Sequence, residues 1–345
     1  MTLSASGQIS LGGGTTNRSV SLEFRQGATS SISLNDGTVR ALAEKPTGQI
    51  SLNDLHNKTY FLNINLILSG GQNPPWNLYT LANNLGYYPG QTHLTITINT
   101  GSSIGSIISG NGFALDTGTG WSGNDTITIY NYGTIFGRGG SGGFAGYSDG
   151  TTKFAPLAGT PGEPAIKFQW PTTVYNYGII AAGGGGGGAT YPIIGFNSSS
   201  GQGYYYGCGV HGGGGAGYGS YYANFNGITW PTAVGGDMLT GGAGQYATNT
   251  SGIAGLSGGA AGGGGGPGVG GGIGYNQTGI YDPWPSGGGG GGAGASGGAG
   301  GLAASYTGYL VGGPGSAGGA GGNATIGANT FVTWAVTGTR YGTIA

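Results

Sequence analysis

Glycine is the feature of this sequence that most constrains its fold, because 89 of the 345 residues carry no side chain. The glycines concentrate between residues 181 and 325, a region here called the glycine-rich body, where runs such as Gly183–Gly188 and Gly287–Gly292 alternate with aromatic stretches. Ordering a residue costs on the order of 1–2 kcal/mol, and glycine has no apolar side chain whose burial would offset that cost. An ordered glycine-rich body must therefore be held together by backbone hydrogen bonds and close packing between segments.

The glycine runs are open to two interpretations. One is a flexible linker, which is what glycine-rich tracts usually form. The other is a bundle of polyglycine II helices, which are left-handed, have three residues per turn and contain no internal hydrogen bonds. Side by side, such helices can exchange backbone hydrogen bonds, and glycine is required wherever they pack closely. The aromatic residues between the runs favour the bundle, because linkers and disordered segments are depleted in aromatics.

The aromatic residues between the glycine runs are the candidate residues for binding a partner. Tyrosine and tryptophan carry much of the energy at interfaces, and tyrosine offers a large contact area at a low cost in rotamer entropy. The alternative role is to cover the flanks of the glycine bundle, and we expect the set to divide between the two roles. The candidates are Tyr204, Tyr205, Tyr206, Tyr218, Tyr221, Tyr222, Phe225, Trp230, Tyr281, Trp284, Tyr306 and Tyr309.

Composition and charge divide the chain into four regions. Nine charged residues fall within the first 60 positions, whereas between Ala181 and Thr325 only Asp237 and Asp282 are charged. We predict a mostly β and irregular fold with an N-terminal attachment module (1–70), a β-rich, solenoid-like domain (71–180), a polyglycine II domain (181–325) and a C-terminal closing strand (326–345). A module of ~60 residues with so little apolar content is marginally stable alone, so we expect it to need a partner surface.

Internal repeats mark the first two regions. The core Ile-Ser-Leu recurs at Ile9, Ile32 and Ile50, and each copy predicts a half-buried strand or edge contact. The β-rich region carries Tyr-Asn-Tyr-Gly twice, 45 residues apart, beginning at Tyr130 and Tyr175. A strand followed by an asparagine turn and recurring in this way is typical of stacked β layers. Short helices are predicted within 38–44 and 75–85, and strands around 94–98 and 127–129.

The sequence offers little that could support catalysis or metal binding. The histidines (His56, His93 and His211) are far apart, and the single cysteine, Cys208, excludes an internal disulfide. A pairing of Cys208 with His211 lacks a third orienting group, and Asp116 with Asp125 is better explained as two turn residues than as a glycosidase pair. We therefore expect no enzyme activity, cofactor or metal.

Net charge and hydropathy argue against binding to nucleic acid and against a membrane-spanning helix. The net charge of −1 gives no basic surface for nucleic acid. No segment reaches the ~20 apolar residues of a membrane helix, and we expect no leader peptide.

The order of these features resembles a known family. Runs of glycine separated by aromatic loops, from about Gly183 to Gly322, look like the receptor-recognising adhesin at the tip of long tail fibres in some T-even-type bacteriophages. The stretches 114–118, 127–135 and 164–178 and the ending 333–342 are similar to segments of phage tail proteins. The Gly-Gln-Ile-Ser-Leu module resembles the attachment end of tail and baseplate proteins. The resemblance implies a sandwich of polyglycine II helices whose distal loops contact an outer-membrane protein or surface glycan.

The expected function is therefore non-enzymatic adsorption of a virion to its host. The N-terminal module would dock to other phage tail proteins, and the aromatic loops would recognise the host surface. A homo-oligomer, for example a trimer, is compatible with this role. The alternative is a baseplate, tail-tip or virion decoration subunit without receptor contact. A third hypothesis, a cell-associated glycine-rich β-solenoid, is disfavoured because surface proteins must be exported.

Overall fold

The computed structural model describes the first half of the chain almost continuously and the glycine-rich body in pieces. The described residues are 2–69, 76–105, 113–148, 153–190, 194–197, 202–204, 214–215, 224–225, 228–229, 236, 238–242, 265–267, 269–271, 288–300, 309–310 and 315–345. The helices are α1 (Val20–Glu23), α2 (Gly37–Leu42), α3 (Leu78–Asn84) and α4 (Ala328–Phe331), with a 3-10 turn at Leu52–Leu55. Within the described part of the chain, no helix has the length and apolarity needed to span a bilayer.

Most of the regular structure consists of short strands. In chain order they are β1 (Leu62–Leu68), β2 (Trp76–Asn77), β3 (Thr92–Ile98), β4 (Ser103–Gly105), β5 (Leu115–Asp116), β6 (Thr126–Asn131), β7 (Thr134–Phe136), β8 (Tyr147–Ser148), β9 (Lys153–Phe154), β10 (Ile166–Lys167), β11 (Thr172–Asn176), β12 (Ile179–Ala181), β13 (Ile194–Asn197), β14 (Gln202–Tyr204), β15 (Asn224–Phe225), β16 (Ile228–Thr229), β17 (Tyr309–Leu310), β18 (Asn323–Ile326), β19 (Val332–Val336), β20 (Thr339–Tyr341) and β21 (Thr343–Ile344). The helices predicted within 38–44 and 75–85 and the strands predicted around 94–98 and 127–129 are confirmed, with shifted bounds.

The chain divides into two compact units. The first consists of Met1–Asn65, Ala82–Thr95 and Gly120–Thr126. Its apolar core is small and lies within the N-terminal part, where α1, α2 and the 3-10 turn contribute most of the buried residues. These are Leu3, Ile9, Val20, Val39, Leu42, Ala43 and Leu55. Polar contacts also connect this part to residues 82–95, since Glu23 and Arg25 both bond to Gln91.

The three Ile-Ser-Leu copies have different structures. The first makes an isolated bridge between Ser10 and Ser19, as an edge contact would. In the other two, the serine amide donates to the carboxylate three residues later, Ser33 to Asp36 and Ser51 to Asp54, at 2.7 Å each. These bonds start helical turns, with Asp36 and Ser51 as N-caps. The strand prediction is wrong for these two copies, because local side-chain bonds to the backbone compete with strand pairing.

Three sheets are built from a repeated set of strands, most of which belong to the second unit, Leu66–Leu81, Ile96–Thr119 and Ile127–Ala345. Their strand orders are β1-β3-β6-β11-β19, β2-β5-β10-β18-β21 and β20-β12-β7-β4. The sets β5-β6-β7, β10-β11-β12 and β18-β19-β20 each give one strand to every sheet, and neighbouring sets pair in parallel. The 45-residue spacing of the predicted repeat matches the register in which β11 pairs with β6, since Asn176 lies opposite Asn131.

Apolar side chains alternate along these strands and fill the space between the sheets. Along β3, Leu94, Ile96 and Ile98 are buried while the intervening residues are partly exposed. At the end of β6 and β11, the buried Asn131 donates its side-chain amide to the Asn176 side chain at 2.8 Å, and Asn176 donates to the Thr337 carbonyl at 2.8 Å. This asparagine ladder satisfies polar groups that would otherwise be buried without partners.

The described glycine segments bond to one another with a period of three residues. Bonds between residues 137–146 and 181–190 keep a constant offset of 44 positions. The amides of Gly137, Gly140, Gly143 and Gly146 donate to the carbonyls of Ala181, Gly184, Gly187 and Thr190. The run Gly183–Gly188 also bonds to residues 160–163, 288–298 and 319–322. The run Gly183–Gly188 is therefore held by backbone bonds to several neighbouring segments.

Close approach explains why these positions are glycine. A Cβ atom at Gly186 would overlap the backbone carbonyl of Ser141, and one at Gly185 would overlap that of Gly319. The overlapping atoms belong to the backbone and cannot rotate away as a flexible side chain could. Gly266, by contrast, has open space where its Cβ would lie. Glycine is thus sterically required at the bonded positions of the runs and not at every glycine of the body.

Candidate functional site

Two of the predicted receptor-binding residues come together in one sheet of the glycine-rich body. Strands β14, β13 and β17 form an antiparallel sheet with β13 in the centre. Gly195 of β13 is paired with Tyr204 on one side and with Tyr309 on the other. The fold therefore places these two tyrosines, which are distant in sequence, in a single row across the sheet.

A third predicted residue, Phe225, lies in a separate hairpin. Strands β15 and β16 pair antiparallel, with Phe225 opposite Ile228. The connecting pair Asn226-Gly227 is a sequence that favours tight hairpins. The other candidates lie outside the described residues: Tyr205, Tyr206, Tyr218, Tyr221, Tyr222, Trp230, Tyr281, Trp284 and Tyr306. Cys208 and His211 lie outside them as well.

Two stacked tyrosine pairs form an aromatic cluster outside the predicted receptor-binding residues. Tyr130 stacks on Tyr175 at 4.7 Å between ring centroids, and Tyr132 stacks on Tyr177 at 5.0 Å. Tyr132 is 42% exposed and Tyr177 is 54% exposed. The Tyr-Asn-Tyr-Gly repeat was the available signal, because parallel strands in register bring equivalent side chains into contact. This cluster lies in the three-sheet region, not among the glycine runs.

Glu163 is the charged group most closely associated with the described glycine runs. Its backbone carbonyl accepts from Gly183, and its amide donates to the Arg138 carbonyl, both at 2.8 Å. Burial raises the pKa of its carboxyl above the ordinary value, and the positive charge of Arg138 opposes that shift. The backbone of Glu163 thus takes part in the glycine hydrogen-bond network.

Within the described residues, the acidic residues and histidines considered for catalysis or metal binding make local contacts. The Asp125 carboxylate accepts from the Thr92 and Ser122 amides at 2.8 Å, and the Asp116 carboxylate accepts from the Gly118 amide at 2.8 Å. His56 Nδ1 lies 2.7 Å from the Ser4 carbonyl, and His93 stacks on Phe61. Among the described residues, no group of three or more His, Cys, Asp or Glu side chains is arranged to hold a metal ion.

Comparison with known proteins identifies the family. The family model for phage tail fibre adhesin Gp38 matches residues 62–345, most of the chain. The chain belongs to the phage tail fibre adhesin Gp38 family. It is a bacteriophage tail fibre adhesin, a receptor-binding component of the virion. The matched region contains the three parallel sheets and the glycine runs, and the segment of residues 1–61 lies outside it.

A solved structure is similar to this adhesin over nearly its whole length. It is the gp37–gp38 adhesin tip complex of the bacteriophage S16 long tail fibre. The similarity has a TM-score of 0.50 at 20% sequence identity, and it covers 97% of this chain and 100% of that chain. At this identity the comparison concerns the fold. No curated protein matches the chain.

Proposed function

We propose that this adhesin recognises the host cell surface through aromatic loops carried by a polyglycine II bundle, without enzymatic activity. Family membership supports the adhesin role. The row formed by Tyr204, Gly195 and Tyr309 is the observation that carries the receptor site, because it joins two candidate residues across a sheet. The receptor would be an outer-membrane protein or a surface glycan. Tyrosine suits either, since its ring gives contact area and its hydroxyl can form hydrogen bonds.

The polyglycine II assignment rests on the geometry of the described runs. Donors recur every third residue, as three residues per turn would require. Overlap at Gly185 and Gly186 leaves no room for side chains at the bonded positions. Such a bundle fixes the loop ends, so the loops would bind without a large loss of backbone entropy. The stacked strand sets of residues 76–181 and 323–341 fit the proposed solenoid-like domain, which would include the strands at the C-terminal end.

We further propose that the N-terminal segment docks to another tail fibre protein and that the aromatic loops are distal. Residues 1–61 lie outside the family match, and the similar phage S16 structure is a complex of two tail fibre proteins. Cryo-electron microscopy of the intact particle tests this placement. The N-terminal segment should contact the fibre, and the glycine runs should project away from it. Glycine runs enclosed by other virion proteins would instead favour a structural subunit without receptor contact.

The receptor role is tested by exchanging the aromatic loops. Residues 203–225 and 281–285 are replaced by loops of the same length and scrambled sequence, and adsorption is measured across host strains. We expect adsorption to fall at least about tenfold with assembled particles intact, since a few aromatic residues dominate most interfaces. The matched control is the double variant Tyr132→Ala and Tyr177→Ala, which removes exposed aromatics outside these loops. Unchanged host range in the loop variants would overturn the proposal.

A further inference from the structure

A buried polar cluster joins the N-terminal part of the first unit to residues 82–95. Its centre is Glu23, the last residue of α1, which is only 1% exposed. Glu23 Oε1 accepts from the Tyr60 amide at 2.7 Å and from the Gln91 side-chain amide at 3.0 Å. The Gln91 side chain also donates to the Tyr60 carbonyl at 2.9 Å. One carboxylate oxygen thus connects three segments that are distant in sequence.

Arg25, which follows the end of α1, contacts the same segments. Its backbone is left-handed, with φ of 59°. Its guanidinium donates to the Gln91 carbonyl at 3.2 Å and lies 4.2 Å from the centre of the Tyr88 ring. A side chain that stacks on an aromatic ring while bonding to a carbonyl is held in a defined position. Glu23 and Arg25 therefore both contact Gln91, one through its side chain and the other through its backbone.

Some of the hydrogen-bonding atoms in this cluster are left without a partner. Glu23 Oε2 and Arg25 Nε are buried and have no hydrogen-bond partner among the residues that the structure describes. An ionised carboxylate oxygen that is buried without a donor destabilises the folded state, whereas the neutral acid carries a smaller desolvation penalty. The Asp125 carboxylate in the same unit accepts three hydrogen bonds, from Thr92, Ser122 and Tyr87. The unsatisfied oxygen thus distinguishes Glu23 from Asp125.

We propose that Glu23 is a proton-sensitive latch that holds residues 2–65 against residues 82–95 more firmly in mildly acid than in alkaline medium. Burial raises the pKa of Glu23, although the Tyr60 amide, the amino-terminal charge, Gln91 and Arg25 oppose that shift. Burial also lowers the pKa of Arg25, and the charges of Tyr60, Tyr88, Glu23 and Asp125 oppose this second shift. A carboxyl whose pKa is raised on folding stabilises the protein at low pH, and this contribution is lost as the pH rises through the raised pKa.

The latch is tested on the purified full chain by measuring backbone amide exchange of Tyr60, corrected for the intrinsic pH dependence of exchange. Over a scan from about pH 4 to pH 9, protection in the wild type should fall as the pH rises through the raised pKa of Glu23, by up to about tenfold for each unit by which the folded pKa exceeds the unfolded one. Glu23→Gln should remove this dependence. Glu44→Gln, which changes an exposed glutamate paired with Lys58, should retain it.

Two outcomes would overturn the latch. One is a wild-type protection factor that does not change over this pH range, a result that does not depend on any variant folding. The other is a Glu23→Gln protein with the same pH dependence as the wild type. Arg25→Gln gives a second check, because loss of the positive charge should move the midpoint to higher pH. None of these measurements involves a receptor, so their outcome is independent of the proposed role of the aromatic loops.

Discussion

At the scale of single residues, the few charges of this adhesin act locally. Asp54 caps the 3-10 turn by accepting from the Ser51 amide at 2.7 Å, and it also accepts from Lys45 Nζ at 2.7 Å. The bonds from Lys45 and from Ser51 lower the pKa of Asp54 to about 2, below its ordinary value of 3.8. Its effect on stability has the opposite sign to that of Glu23, since a carboxyl with a lowered pKa stabilises the folded state only while it is ionised.

The Asp54 cap predicts an acid-sensitive turn. We expect amide protection at residues 51–55 to be lost as the pH falls from about 4 to about 2, through the lowered pKa, and Asp54→Asn to lose this dependence. Hydrogen exchange between pH 2 and pH 7 measures the effect. Asp36→Asn is the matched control, because Asp36 likewise accepts from the amide of the serine three residues before it, here Ser33. Its replacement should leave the 51–55 turn unchanged. An Asp54→Asn protein with the wild-type acid profile would contradict the assignment.

At the scale of elements, the glycine runs obtain order from the backbone alone. Each described run exchanges hydrogen bonds with several others, and its glycine positions are fixed by contact with neighbouring carbonyls. The parallel strands follow the usual division, with apolar residues inside and tyrosines stacked outside. The two kinds of element are adjacent in sequence, since β7 leads into residues 137–146 and β12 into Gly183–Gly188. The sheets therefore set the register in which these glycine runs begin.

Steric exclusion at the glycine runs predicts unequal effects of alanine. Gly186→Ala places a Cβ against the Ser141 carbonyl. We expect this substitution to lower the free energy of unfolding by about 1–3 kcal/mol or more, because that is the usual cost of overpacking. Gly266→Ala, at a position with open space, should change stability by less than about 0.5 kcal/mol. Denaturant unfolding of both full-length variants tests the difference. Equal free energies of unfolding for the two variants would contradict the close packing of the runs.

At the scale of the whole molecule, low charge distinguishes this adhesin from proteins that bind by electrostatic attraction. Its net charge is −1, and charged residues make up 6% of the sequence. Long-range attraction to a charged surface requires clustered charge of one sign and weakens strongly with ionic strength. Contacts made by tyrosine side chains and backbone groups require no clustered charge and do not weaken strongly with ionic strength. We therefore expect host adsorption to depend on the fit of the loops more than on electrostatic steering.

This charge balance predicts adsorption that is insensitive to salt. Between about 0.05 and 0.3 M sodium chloride, we expect the adsorption rate of intact particles to change by less than about twofold. The measurement uses a fixed host strain and a constant divalent cation concentration. The control is the double variant Tyr204→Lys and Tyr309→Lys. Because it adds positive charge at proposed receptor contacts, the adsorption rate of these particles should become salt-dependent. A tenfold fall in the wild-type rate over this range would contradict the expectation.

The sequence by itself determined the features that depend on residue type and spacing. Glycine content required backbone-held packing, the 45-residue repeat gave the register of β6 and β11, and the order of motifs indicated a phage tail adhesin. Other features depend on which segments meet in space, and only the tertiary structure decided them. Pairing with Gly195 brought Tyr204 and Tyr309 into one row, and folding buried Glu23 beside Gln91. Burial and pairing between distant segments are set by packing of the whole chain, and no local pattern encodes them.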